Sequence, residues 1–93
     1  MIKKFKCKET EKLFNGRFSS KLPQTIQRSA AIKLKMINAA TRLETLRIPP
    51  SNNLEVLQRE REGQYSIRIN KQWRICFVWK NGDAFDVEIV DYH

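Results

Sequence analysis

The sequence has little of what disulfide and metal chemistry require. It contains only two cysteines, Cys7 and Cys76, and a single histidine, His93. The cysteines are far apart and have neither a CxxC spacing nor companion histidines, so no zinc site is expected. Because no signal peptide is recognisable, both cysteines are expected to stay reduced thiols in a cytosol rather than to form a disulfide.

Long apolar runs, internal repeats and low-complexity segments are also missing. No stretch approaches the roughly 20 apolar residues that cross a bilayer. The chain has 93 residues, 41% of them hydrophobic, which is enough for one small core and too apolar for a disordered chain. We therefore expect one soluble, cytoplasmic domain that spans residues 1–93.

Positive charge is abundant. Lysine and arginine number 18 against 10 acidic residues, which gives a formal net charge of +8. Such a surface attracts polyanions at long range, and salt weakens the attraction. Charge alone fits a nucleic acid or an acidic partner protein, and both can use the same patch.

The first half of the chain shows mainly helical patterns. Alternation over Met1–Lys6 predicts a short first strand. A short helix is expected between Thr10, its cap, and Gly16, its stop, and a longer helix over Pro23–Ala40. Pro49-Pro50 is expected to end all helical structure. The long helix is predicted to turn four apolar side chains inward and two lysines outward: Ile26, Ala30, Leu34 and Ile37, and Lys33 and Lys35.

The second half is predicted to be a meander of strands. These are expected over Leu54–Leu57, Gln64–Asn70, Trp73–Lys80 and Phe85–Tyr92. Asn81-Gly82 indicates a two-residue hairpin, since both residues tolerate the positive φ of a type I′ turn. The order of strand, two helices and strand meander predicts an α+β domain whose helices cover one face of a mostly antiparallel sheet.

Period-two alternation assigns the side chains of this sheet to two faces. Those expected against the helices are Tyr65, Ile67, Ile69, Ile75, Phe77, Phe85, Val87 and Ile89. Those expected on an open opposite face are Ser66, Arg68, Arg74, Cys76, Glu88 and Tyr92. Arg74 lies in the most apolar strand, where a cation is expected to be paired or functional. A purely structural ion pair with Glu88 is the alternative.

Acid–base side chains end the last strand. RNA cleavage without a metal needs a base for the 2′-hydroxyl, an acid for the departing 5′-oxygen and cations for the phosphorane. Asp91 can act as base, His93 as base or acid, and Tyr92 as acid or stacking platform. Arg74 and Arg68 can hold the phosphate. The alternative for a histidine at this place is a frayed tail.

Four segments together resemble the HigB family of bacterial toxins, a branch of the RelE/ParE superfamily, and in particular its GraT-like subgroup. The resemblance covers essentially the whole chain, and the W-R-I-x-F strand combined with a D-Y-H ending is its most specific part. The four segments are Met1–Phe5, Arg61–Ile67, Gln72–Ile75 with Phe77, and Val87–His93.

The resemblance implies a RelE-like microbial ribonuclease fold and an mRNA interferase that cuts message in the ribosomal A site. It implies no cofactor or metal, and a 2′,3′-cyclic phosphate product. It also implies a HigA-like helix-turn-helix antitoxin that represses the shared operon, so operator DNA is bound only through the antitoxin. The family's functional positions match Asp91, Tyr92, His93 and Arg74.

Two family positions are filled differently here. Family members carry a histidine and a lysine before the glycine that matches Gly63, and these positions hold Glu55 and Gln58 instead. The phosphate-binding charge of that lysine must then come from elsewhere. The candidates, all near that edge of the predicted sheet, are Arg59, Arg61 and Arg68.

Two other classes of function remain open from the sequence. One is a toxin of the same fold that inhibits a protein target, as gyrase-inhibiting ParE relatives do. The other is a non-catalytic RNA or ribosome binder. The acid–base ending argues against the first, because a pure interaction surface has no need of a base and an acid at one strand end. The missing lysine makes the second plausible.

Overall fold

The computed structural model describes residues 1–91 and shows two helices followed by a four-stranded antiparallel sheet, which confirms the predicted α+β class. The strands lie in chain order, β1-β2-β3-β4, and three short 3-10 helices occupy the connections. The helices are α1, Lys8–Phe14, and α2, Gln24–Ala39. The strands are β1, Glu55–Val56; β2, Gln64–Arg68; β3, Trp73–Lys80; and β4, Asp83–Asp91.

The core lies between α2 and one face of the sheet. The predicted apolar stripe of α2 is buried against β2, β3 and β4, which confirms the assignment of that helix face. Tyr65 and Ile69 are only partly buried and pack at its margin. The fully or almost fully buried side chains of this core include Ile26, Ala30, Leu34, Ile37, Ile67, Ile75, Phe77, Val87 and Ile89.

Thr10 is not the cap of α1, as predicted from the sequence. Cys7 holds the cap position, and Thr10 lies buried inside the helix, where its Oγ1 accepts a hydrogen bond from the Ile89 backbone N–H at 3.0 Å. The hydroxyl therefore joins α1 to β4. Gly16 does end the helix, with a φ of +78° that favours glycine and an N–H bond to the Leu13 carbonyl at 3.1 Å.

β4 contains a bulge that the alternation pattern did not predict. Pairing with β3 shifts between Cys76↔Glu88 and Val78↔Phe85, and Asp86 has a φ of +52°. One extra residue in a strand reverses the alternation beyond it. Ala84, rather than Phe85, is therefore buried in the core, and the prediction for Phe85 was wrong.

The amino-terminal segment forms less than the predicted strand. It makes two isolated parallel bridges to β4, Ile2↔Ala84 and Phe5↔Val87. The amino-terminal segment and β4 each advance by three residues between the two bridges. The bulge at Asp86 lies between the two bridged residues of β4, so a continuous ladder does not form. No helix among residues 1–91 is long and apolar enough to cross a membrane.

Helical structure does not end at Pro49-Pro50, because a 3-10 turn follows at Pro50–Asn52. Asn52 is buried there, and its Nδ2 donates to the carbonyls of Leu46 at 3.1 Å and Ile48 at 3.4 Å. The turn precedes β1, and Asn53 leaves it with a φ of +46°. This turn brings the backbone of Asn53 over the sheet face that carries Arg74.

Candidate active site

Arg74 is buried on the sheet face that lies away from α2, with 6% of the residue exposed. Its Nε donates to Ser66 Oγ at 2.7 Å, and its Nη2 donates to the carbonyls of Asn53 at 2.6 Å and Ser66 at 3.3 Å. Glu55 Oε1 lies 3.3 Å from the same Nη2. Arg74 therefore joins β3 to β2 and β1 and to the turn before β1.

The alternative considered from the sequence, a structural ion pair between Arg74 and Glu88, does not form. Glu88 pairs across the sheet with Cys76, one step along the strands from Arg74. Its Oε2 lies 3.2 Å from Lys6 Nζ and 3.7 Å from Arg61 Nη1. Neither contact satisfies hydrogen-bond geometry. Glu88 Oε2 is therefore buried without a hydrogen bond, and its interactions with the two cations are electrostatic.

The sheet face predicted to be open is closed at its centre. Ser66 and Cys76 are fully buried beside Arg74, because Asn53 crosses over one end of the face and Lys6 and Arg61 reach over the other. Burial raises the pKa of the Cys76 thiol, so this cysteine is a neutral group rather than a nucleophile. Strand alternation predicted the correct face for these side chains but not how deeply they are buried.

Asp91 ends β4 next to Arg74 but on the other side of the sheet. Its Cα partner is Trp73, while the partner of Arg74 is Val90. Directly paired residues share a face and neighbours alternate, so Asp91 lies on the face of Trp73. Its Oδ2 accepts a hydrogen bond from Gln72 Nε2 at 3.1 Å. Tyr92 and His93, which the sequence also placed in the site, lie outside the described residues.

Arg59 and Arg61 lie on the one-turn helix Arg59–Arg61, beside a concavity of about 380 Å³ that Leu57, Gln58 and Glu60 also line. Arg59 is exposed and has a φ of +60°. Arg61 is held in place, since its Nη1 donates to Gln64 Oε1 at 3.4 Å and lies near Glu88. The structure thus places two cations next to Gln58, the position at which the resemblance leads us to expect a lysine.

Arg68 ends β2 as the direct sheet partner of Arg74. Its Nε donates to the Asn70 carbonyl at 3.0 Å. Arg68 also lines a different groove, together with Lys33 and Lys71. The predicted arginines therefore form two groups, Arg59 with Arg61 at one end of β2 and Arg68 with Arg74 at the other.

The contacts of two charged residues beside the site were not predicted. Glu55 is the ion-pair partner of Arg74, and its side chain is 45% exposed. Lys33, predicted to face outward, is half-buried, and its Nζ donates to Asn52 Oδ1. The signal for Lys33 was its spacing, three residues after Ala30 and four before Ile37, which borders the apolar stripe.

Residues 3–93 match the family model of the RelE-like toxin of type II toxin-antitoxin system HigB. This chain belongs to the HigB toxin family. Its membership agrees with the resemblance carried by the W-R-I-x-F strand and the D-Y-H ending. It makes the chain the toxin component of a toxin-antitoxin pair. It also favours a HigB function over the inhibition of gyrase by a ParE-like toxin.

The chain is similar to three curated relatives, and the two that are named as HigB proteins support membership of the family. The Endoribonuclease HigB of Proteus vulgaris is 36% identical over 93 residues, which is 100% of both chains. The Toxin HigB-1 of Vibrio cholerae serotype O1 is 37% identical over 87 residues, 92% of each chain. An uncharacterized protein of Haemophilus influenzae is 40% identical over 69 residues, 74% of this chain and 68% of that protein.

Proposed function

We propose that this HigB-family toxin is a ribosome-dependent endoribonuclease that cuts messenger RNA and so stops translation. The observation that carries the proposal is the end-to-end similarity to a protein named Endoribonuclease HigB. The buried, hydrogen-bonded Arg74 and the formal charge of +8 support it, because a phosphodiester substrate requires positive charge. The proposed target is message in the ribosomal A site, with adenine-rich codons preferred as the resemblance suggests.

The proposed reaction is a transfer within the RNA that needs no metal. A base removes the 2′-hydroxyl proton, the 2′-oxygen bonds to phosphorus, and the bond from phosphorus to the 5′-oxygen breaks. An acid protonates the departing 5′-oxygen, which leaves a 2′,3′-cyclic phosphate and a 5′-hydroxyl. Asp91 and His93 are the proposed proton carriers, and Tyr92 is the proposed acid or stacking group. Because Asp91 lies on the opposite sheet face from Arg74, this assignment requires the RNA to pass over the end of β4, where the two faces meet.

Arg74 supplies fixed positive charge in this mechanism. Its bonds to Ser66 and Asn53 hold the guanidinium before substrate arrives, so little reorganisation is needed as charge develops on the phosphorane. Its contact with the half-exposed Glu55 carboxylate is an ion pair at 3.3 Å, within reach of solvent. We propose that a substrate phosphate competes with Glu55 for the guanidinium.

The charge of the missing family lysine is proposed to come from the arginines beside Gln58. We expect Arg61→Gln to weaken toxicity by about 10-fold or more, since a hydrogen bond to a charged group contributes about 1.5–3 kcal/mol. Arg68→Gln, at the other end of β2, tests the second group, and Arg42→Gln is the control because Arg42 is exposed and pairs with Glu44. The measurement is growth arrest at matched expression. Full toxicity of both the Arg61 and the Arg68 variants would rule out these substitutes.

The proposed partner is a HigA-like helix-turn-helix antitoxin that represses the shared operon. Membership of a type II toxin-antitoxin family supports an antitoxin partner, and the resemblance suggests its class. The basic toxin surface would favour an acidic contact region on that protein.

Ribosome dependence can be tested with purified toxin and one labelled message. We expect naked message to stay intact and the same message in stalled ribosomes to be cut, because the ribosome orients the scissile linkage. The upstream fragment should end in a 2′,3′-cyclic phosphate, and the downstream fragment should accept label from polynucleotide kinase without phosphatase treatment. Equal cutting of naked message, or 5′-phosphate ends, would contradict the proposal.

A further inference from the structure

A second basic groove lies beside the proposed site, between α2, the Pro50–Asn52 turn and the connection from β2 to β3. Its volume is about 490 Å³. Three of its lining residues are cations, and none is a carboxylate. The polar residues that line it are Ser29, Lys33, Ser51, Arg68, Asn70 and Lys71.

Within the described chain, the cations of this groove have no carboxylate partner, unlike several other cations. Lys6, Lys12 and Arg42 each lie within 3.2 Å of a carboxylate oxygen. Within residues 1–91, by contrast, no ion pair involves the three groove cations, which are Lys33, Arg68 and Lys71. The positive charge of the groove is therefore not balanced by ion pairs with carboxylates of these residues.

Lys33 is the cation for which an anionic ligand matters most. It is half-buried, and its Nζ bonds to Asn52 Oδ1, a neutral acceptor. Burial lowers the pKa of this ammonium group. A partly desolvated cation without a counter-charge is energetically costly, so an anion in the groove would recover part of that cost.

The remaining donors suit a phosphate group. Arg68 is oriented by the bond from its Nε to the Asn70 carbonyl at 3.0 Å. Ser29 and Ser51 add hydroxyl donors to the guanidinium and the two ammonium groups. Phosphate oxygens accept several such bonds at once, and charge-assisted bonds of this kind are stronger than neutral ones.

We propose that this groove binds a backbone phosphate of RNA, one that flanks the linkage to be cut or belongs to ribosomal RNA. The inference rests on the proposed function. RNA is favoured over an acidic protein because Arg68 is the direct sheet partner of Arg74. An RNA strand whose scissile phosphate lies at Arg74 therefore passes next to the groove.

The test compares two double variants that lose the same charge. Lys33→Gln/Lys71→Gln removes two groove cations, whereas Lys3→Gln/Lys80→Gln removes two exposed lysines outside the groove. Affinity for stalled, message-programmed ribosomes is measured over a range of salt concentrations. We expect the groove variant to bind about 10- to 100-fold more weakly and its log–log salt slope to fall by about 1, against a change under about 3-fold for the control.

Further measurements identify the source of the phosphate and separate the proposal for the groove from the proposed function. An equal loss on message-free ribosomes assigns the groove to ribosomal RNA, and a loss only with message assigns it to the substrate. Equal affinity of the groove and control variants would overturn the inference, as would a loss confined to antitoxin binding. If the wild type neither binds nor cuts on ribosomes, the proposed function itself fails. Lys71→Gln alone, at an exposed position, carries the test if the double variant does not fold.

Discussion

His93→Gln is expected to lower the rate of message cleavage on ribosomes by about 10²–10⁴-fold, the contribution of one general acid or base. Glutamine keeps hydrogen-bonding capacity but cannot carry a proton between substrate oxygens at neutral pH. The variant should therefore bind ribosomes as the wild type does and lose cleavage and toxicity. The measurement is single-turnover cleavage at saturating ribosome concentration.

Two companion variants locate the chemistry within the tail. Asp91→Asn removes the other proposed proton carrier, and Tyr92→Phe removes only a hydroxyl while keeping an aromatic ring that can stack. A large loss of cleavage in His93→Gln and Asp91→Asn, with only a small loss in Tyr92→Phe, would assign Tyr92 to stacking. An undiminished rate for His93→Gln would exclude the proposed acid–base pair and leave a non-catalytic ribosome binder.

Arg74→Gln is expected to impair both reaction and fold. Loss of a fixed positive charge at the phosphorane should cost about 10²–10³ in rate, the scale of removing one preorganised donor. The same change leaves Ser66 Oγ and the Asn53 carbonyl without their donor. Each of the two lost contacts costs about 1–3 kcal/mol, so the free energy of unfolding should fall by about 2–6 kcal/mol. Denaturant unfolding and single-turnover cleavage measure the two effects.

Two control variants separate these roles of Arg74. Ser66→Ala removes the acceptor of Nε and should reduce stability by about 1–3 kcal/mol while the cation remains. Glu55→Gln removes the ion-pair partner and should leave cleavage intact or faster, because the guanidinium then interacts more freely with phosphate. If Arg74→Gln cut message as fast per folded molecule as Ser66→Ala, Arg74 would be structural only.

Local patterns predicted the elements of the fold because each rests on short-range geometry. The apolar spacing of Ile26, Ala30, Leu34 and Ile37 gave α2, and Asn81-Gly82 gave the hairpin, in which both residues have positive φ. The bulge at Asp86 was not predictable in this way, because aspartate tolerates positive φ without requiring it. Because the bulge was not predicted, Phe85 was assigned to the wrong face of the sheet. For the same reason, Met1–Lys6 was expected to make a longer contact with β4 than it does.

The site was predictable in its residue types but not in its contacts. Alternation placed Arg74, Ser66 and Cys76 on one face correctly, yet burial of that face depends on long-range contacts from Asn53 and Arg61. The partners of Arg74 and Glu88 likewise depend on register, which the sequence does not specify to one residue.

The most direct test of the account is mapping of 5′ ends across cellular messages after brief induction of the wild-type toxin and of His93→Gln. We predict new 5′ ends at positions that fall in the ribosomal A site within translated reading frames, and their loss in the variant. Growth arrest by the wild type without new ends in translated messages would contradict the central claim, as would the same ends produced by the variant.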